Sequence, residues 1–359
     1  MSKRILLCTV LLVTLLCNPI GGSPTPVPER SPHENEKCGC LIIDLQGKAY
    51  VRPENSMKSV SLLPNMAVYA GDFVRVAESS RVRLVCGEVF EELTSGVHSV
   101  PCTADKQLMR IGDRLVDSSM TRDIDTSFPR LLSPRKTKLL SPHPKLVWTI
   151  VPNATGYVVS VRGPNVNWSV TVTGNETVYP DDAPALVPGQ QYKVTIFAGR
   201  RKSDDEGLLE LDFSVLETQK AEEVKSRESA IRNLKLEDTT KRLLIAYLYA
   251  GYDLNAEAIM QLNEASNDQE LVRLLAELYL RIMLLDKAEA QFLHAVELAD
   301  GNEPGRAIAY DRLGQIAKAL GKPEQAKQRY ESAIRSFVDL ENWTRMCEIG
   351  RRLEELQKR

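Results

Sequence analysis

The chain has 359 residues, 43% of them hydrophobic, seven cysteines and a formal net charge of −2. That length accommodates two or three globular domains. So even a charge balance lacks the basic footprint of a nucleic-acid-binding protein. Ser2 to Arg4 supply positive charge, and Ile5 to Cys17 are apolar apart from two threonines. This run is shorter than the roughly 20 apolar residues a spanning helix needs, so residues 1–22 read as a secretory signal, cut after Gly22 or Ser23. Export to the periplasm or the extracellular space follows. A lipid anchor at Cys17 is the variant reading, but Leu16 precedes it where that processing prefers a small residue. No other stretch is apolar enough to cross a membrane. Residues 23–37, with prolines alternating with polar residues from Pro24 to Pro32, form an extended linker.

Residues 38–120 read as an all-β domain. Lys48 to Arg52, Phe73 to Val76 and Arg81 to Val85 alternate apolar and polar, and Gly47, Gly71, Gly87 and Gly96 punctuate them. Cys38, Cys40, Cys86 and Cys102 fall in this segment. Export permits disulfides. Cys38 and Cys40 share one face of a strand, so one or both would pair with Cys86 and Cys102 rather than with each other, in a connectivity that spacing leaves open. Four cysteines also suit zinc, but Cys86 and Cys102 do not form a second close pair, so no metal site is expected. The order Val51, Leu62-Leu63, GDFVRVAESSRVRLVCGE and Leu93-Thr94-Ser95-Gly96 resembles the FecR-type β domain over roughly 70 residues. The resemblance implies an exported β fold. It does not imply iron sensing, because the membrane helix of sigma-regulator members is missing.

Residues 121–143 read as a second linker, rich in proline and basic residues from Pro129 to Pro144. Strands then return over residues 144–217. Trp148 early, and Leu186-Pro188-Gly189 before Tyr192 late, resemble a fibronectin type III or immunoglobulin-like sandwich. Tyr192 would be its corner tyrosine, bonding back to the chain upstream. Trp168 could stack on carbohydrate or simply pack on its sheet. Asn153, Asn167, Asn175 and Asn342 begin Asn-X-Ser/Thr triplets, which are glycan acceptors in a eukaryotic secreted protein. Asn342 equally suits a helix cap.

Residues 221–359 carry a repeat. With Tyr310 at position four, Leu313 stands at seven, Gly314 at eight, Ala317 at eleven, Ala326 at twenty, Tyr330 at twenty-four and Ala333 at twenty-seven. Small residues at eight, twenty and twenty-seven let two helices close on each other. A second copy runs through Val272, Leu275, Ala276, Tyr279, Ala288, Phe292 and Ala295, and a weaker third through Ile245, Ala246, Tyr249, Ala258, Leu262 and Ala265. The steps are 30 residues from Ala258 to Ala288 and 38 from Ala288 to Ala326. This pattern resembles the tetratricopeptide repeat, whose period is about 34 residues. Trp343 to Arg359 would be a capping helix, in which Cys347 is expected as a buried free thiol.

Nothing in the sequence points to catalysis or to a cofactor. The four histidines (His33, His98, His143, His294) are scattered, and no phosphate loop, nucleophile elbow or zinc-helix motif occurs. The fold class expected is therefore multidomain: two all-β modules followed by an all-α solenoid. The resemblance implies a concave face that binds a protein partner. In this register Tyr247, Arg273, Glu277, Arg281, Asp311, Gln315 and Lys318 face that groove. The expected role is an exported, non-enzymatic scaffold or adaptor, and the FecR-like and repeat combination suggests a bacterium. Alternatives are a cell-envelope sensor acting through the FecR-like module, or a module binding glycan or cell wall.

Overall fold

The computed structural model describes residues 39–86, 89–101, 127–203, 212–262 and 267–357. The signal segment, the 23–37 linker, Cys38 and Cys102 lie outside them. All-β segments come first and helices follow. The chain divides into two compact units that do not follow chain order. One joins residues 1–119 to 292–359, and the other comprises residues 120–291.

The β part of the first unit is two four-stranded antiparallel sheets. The first is ordered β4 (Ala67–Tyr69), β1 (Gly39–Gln46), β6 (Arg81–Cys86), β7 (Val89–Leu93). The second is β3 (Val60–Ser61), β2 (Ala49–Arg52), β5 (Phe73–Val76), β8 (Gly96–Ser99). Alternation sends Ala49, Val51, Val74 and Val76 inward and leaves Tyr50, Arg52, Phe73 and Arg75 outside. Cys40 on β1 and Cys86 on the adjacent β6 form a disulfide closing a separation of 46 residues. By the chain-entropy argument such a loop stabilises by roughly 4 kcal/mol. Gly47 has φ +92°, and a Cβ there would lie 2.2 Å from Ser80 Oγ, so the β1–β2 turn needs glycine. Asp72 staples the next turn: its carboxylate accepts from the Glu54 and Tyr69 amides, each at 2.8 Å.

The second unit begins where a linker was expected, and this is a correction. Within residues 127–143 stand β9 (Leu131–Ser133) and β10 (Thr137–Leu139). They enter sheets with β11 (Lys145–Trp148), β12 (Tyr157–Gly163), β13 (Val166–Val172), β14 (Glu176–Val178), β15 (Gln191–Ala198), β16 (Arg201–Lys202) and β17 (Phe213–Val215). One sheet runs β10-β17-β15-β12-β13, with β16 on β15, and the other runs β14-β11-β9. β10 and β17 pair in parallel. Trp148 is fully buried and meets Tyr157 edge-on at 5.5 Å. Tyr192 is buried, and its hydroxyl accepts from the Val187 amide at 2.7 Å. A Cβ on Gly163 would strike the Tyr192 ring at 2.3 Å, so glycine makes room for it. Trp168 is half-buried, edge-on to Tyr179 at 4.9 Å.

Eight helices follow among the described residues. They are α1 (Thr218–Arg232), α2 (Asp238–Gly251), α3 (Asn255–Leu262), α4 (Gln269–Arg281), α5 (Leu285–Glu297), α6 (Glu303–Ala319), α7 (Pro323–Asp339) and α8 (Trp343–Gln357). The turns after α2, α4 and α6 are alike. Each has a residue in the left-handed region, Asp253 (φ 60°), Met283 (φ 63°) and Gly321 (φ 67°). In each the next amide bonds back to a carbonyl in the last turn of the helix: Leu254 to Tyr249, Leu284 to Tyr279 and Lys322 to Ala317, all at 2.9 Å. This is the Schellman stop. Its left-handed residues stand 30 and 38 positions apart, the same steps as the small residues in the sequence.

In the first unit, α6 and α7 close on the small residues. Ala317, Ala326 and Ala333 are buried, and a Cβ on Gly314 would lie 2.5 Å from the Tyr330 ring. These helices share a core with the β sheets of the same unit. The loop after β2 docks on the turn between α7 and α8. Ser56 Oγ donates to the Leu340 carbonyl, the Met57 amide to that of Glu341 at 3.4 Å, and Asn342 Nδ2 to that of Glu54 at 3.2 Å. Asn342 is buried and caps α8 by accepting from the Arg345 amide at 3.1 Å. Cys347 on α8 is disulfide-bonded, which corrects the expectation of a free thiol.

Candidate partner-binding surface of the repeat helices

The seven residues expected to line a groove fall on first helices of repeats, and each unit holds its own subset. In the second unit Tyr247 lies on α2 and Arg273, Glu277 and Arg281 on α4. α4 is buried along Glu270 to Leu280, charged positions included. A helix buried all round must pair its charges. It does so locally: Arg273 donates to Glu270 from Nε at 2.8 Å and from Nη2 at 2.6 Å. The Tyr247 hydroxyl donates to the same carboxylate, bridging α2 to α4. Arg281 reaches the Ala250 carbonyl at 2.9 Å. Glu277 is buried as well.

In the first unit Asp311, Gln315 and Lys318 lie on α6. Arg352 of α8 clamps both carboxylate oxygens of Asp311 at 2.6 and 2.7 Å. Gln315 accepts from Arg312 at 3.4 Å, and Lys318 pairs with Glu355 at 3.8 Å. Five of the seven residues are therefore buried, and Tyr247, Arg273 and Asp311 tie one helix to another, while only Arg281 and Lys318 keep part of their surface in solvent. The register identified residues on the inward-facing side of each first helix. It did not reveal that neighbouring helices already engage Tyr247, Arg273 and Asp311.

A second set, which sequence reasoning missed, lies in the former linker. Arg135 is fully buried. It donates to the Ile282 carbonyl at 2.6 Å, to that of Met283 at 3.2 Å and to that of Leu131 at 3.1 Å. Its charge thus sits at the C-terminus of α4, where unpaired carbonyls and the helix dipole favour a cation. The Lys138 amide donates to the Asp253 carbonyl at 2.9 Å, and Asn255 Nδ2 to that of Lys136 at 2.8 Å. Arg130 pairs with Asp286 at 2.6 Å. Burial pushes the Asp286 carboxyl up, but the Arg130 hydrogen bond and charge outweigh it, and the net shift is downward. Glu257 accepts from the Leu140 amide at 2.8 Å, yet burial holds its pKa above the ordinary value. Residues 127–143 therefore clasp the turns after α2 and α4.

The described residues hold no group of three or more His, Cys, Asp or Glu able to bind a metal, and no helix long and apolar enough to cross a membrane. A tetratricopeptide repeat family model matches residues 268–337. No curated protein matches the chain. A solved structure of MamA is similar at 19% identity, with 39% of this chain and 80% of that one covered and a TM-score of 0.29. BtubC from P. vanneervenii is similar at 24% identity over 34% of this chain and 57% of its own, with a TM-score of 0.27. A second MamA structure, at 19% identity, covers 38% of this chain and 86% of its own with a TM-score of 0.27. On the family match and the recurring turns, the helices over residues 268–337 are tetratricopeptide repeats.

Proposed function

We propose that the chain is an exported, non-catalytic scaffold whose tetratricopeptide helices hold a protein partner. The FecR-like module over residues 38–120 and the fibronectin-like module over 144–217 are its supports. The observation that carries this reading is the repeat itself, since such arrays are built to present binding surfaces. A further feature favours it. Repeat turns already hold extended chain through backbone carbonyls, at Asp253 and Met283 for residues 127–143 and at Leu340 and Glu341 for the loop after β2. A partner segment would be held in the same way, with Arg281 in the second unit and Lys318 in the first each supplying charge at the accessible margin of its own first helix.

The test places a photo-crosslinking residue at Met283, in the turn after α4, or at Lys322, in the turn after α6, of the full-length chain in its native exported fraction. The expected result is a discrete crosslinked protein that is lost when Arg281 and Lys318 are both changed to Glu. No crosslinked protein, or crosslinking unchanged by R281E/K318E, would contradict the reading.

A further inference from the structure

β13 is an end strand of its sheet: β12 pairs with all seven of its residues on one side, and among the described residues no strand pairs on the other. Sheet edges are normally guarded by shortness, charge, proline or bulges. The other edges here follow that rule. β3 has two residues, and β4, β9, β10 and β14 have three each. β7 carries Glu91 and Glu92, and β8 is four residues opened by Gly96 at φ +140°. β13 has none of these guards. It reads Val166-Asn167-Trp168-Ser169-Val170-Thr171-Val172, with no charge, proline or glycine, and its register with β12 is unbroken.

The strand also complements itself. Its even-numbered residues are apolar and half-buried or buried, and its odd-numbered residues are polar and exposed. Residues opposite each other in an antiparallel pair share a face. A two-fold axis at Ser169 would therefore set Val166 against Val172, Asn167 against Thr171, Trp168 against Val170 and Ser169 against its own copy. A slip of one residue would put every apolar side chain against a polar one. No charge opposes the pairing in either copy.

We propose that β13 is a self-association edge, where two copies of the chain pair antiparallel about Ser169 and continue one sheet through both. Two seven-residue strands bury less than the roughly 1,600 Å² of a standard interface, so the dimer is weak, with a dissociation constant on the order of 10 µM or above. Such an edge would make the scaffold bivalent at high local concentration.

The experiment is sedimentation velocity on the full chain from about 1 to about 300 µM, a range chosen to bracket that affinity. The native chain is expected to pass from monomer to dimer. The double variant N167K/T171K sets cation against cation at both flanking pairs and should stay monomeric. N167K/T171E sets cation against carboxylate in the same register and should restore association. Both positions are exposed side chains, so circular dichroism and melting temperature should match across the set. A native chain that stays monomeric throughout, or a N167K/T171K chain that dimerises like the native one, overturns the proposal. So does a charge-paired variant that associates no better than the doubly cationic one, because the register would then be wrong.

Discussion

The repeat helices and the segment over residues 127–143 contrast in how they are held. The helices rely on local, recurring devices: a small residue where two helices close, a left-handed residue where one stops. Gly314 under Tyr330 and the stops at Asp253, Met283 and Gly321 are such devices. The 127–143 segment relies on single long-range contacts. Arg135 is 147 residues from the carbonyl it bonds at Ile282, and Arg130 is 156 from Asp286. Repeated local devices tolerate insertion, as the 30- and 38-residue steps show. One-off contacts of this kind cannot be moved.

If the segment is a clasp rather than a linker, Arg135→Ala should give the largest effect. It empties a fully buried site and strands carbonyls at the end of α4, costing about 3–4 kcal/mol. Denaturant unfolding of the full chain measures it, and a change below about 0.5 kcal/mol, the range of ordinary surface substitutions, would return the segment to linker status. On the helical side, Gly314→Ala should cost about 2–3 kcal/mol, since the new methyl meets a buried ring. Calorimetry should show that loss, and a neutral result would mean that the helices need no small residue there.

The ion pair sharpens the contrast through pH. The carboxyl of Asp286 is shifted down in the folded state, so its contribution is present above its unfolded pKa of about 4. It fades as pH falls through the lower folded value. Asp286→Asn should therefore cost about 1–2 kcal/mol at pH 7 and little near pH 2. Glu257 has the opposite sign: its raised pKa favours folding at low pH, an advantage lost as pH rises through the folded value. Equal cost of D286N at both pH values would remove the ion pair from the account. The smallest effect belongs to Met283→Gly. Relieving a left-handed non-glycine residue should raise stability by up to about 1 kcal/mol, read as a slightly higher melting temperature.

What the sequence disclosed follows the same division. Alternation predicted strands at Ala49–Arg52 and Phe73–Val76, and small-residue spacing predicted the helical hairpins, because both are short-range patterns. The position of Asn342 as a cap was open to the same reading. The clasp was hidden because proline and basic residues in series look solvated, and nothing local marks Arg135 as buried. The groove residues were read from the register alone, which could not show what holds them: Asp311 carries no sign of Arg352, 41 residues on. The Cys40–Cys86 bond could not be chosen among the possible pairings, since β1 and β6 become neighbours only in the folded sheet. Asp253 and Met283 escaped notice as helix stops because glycine is the usual signal there.

Hydrogen–deuterium exchange on the full chain, native against R135A, tests the clasp most directly. Faster exchange is expected in residues 131–139 together with the turns at 252–255 and 282–285, in a protein that still folds. Faster exchange in 131–139 alone, with both turns as protected as before, would contradict it.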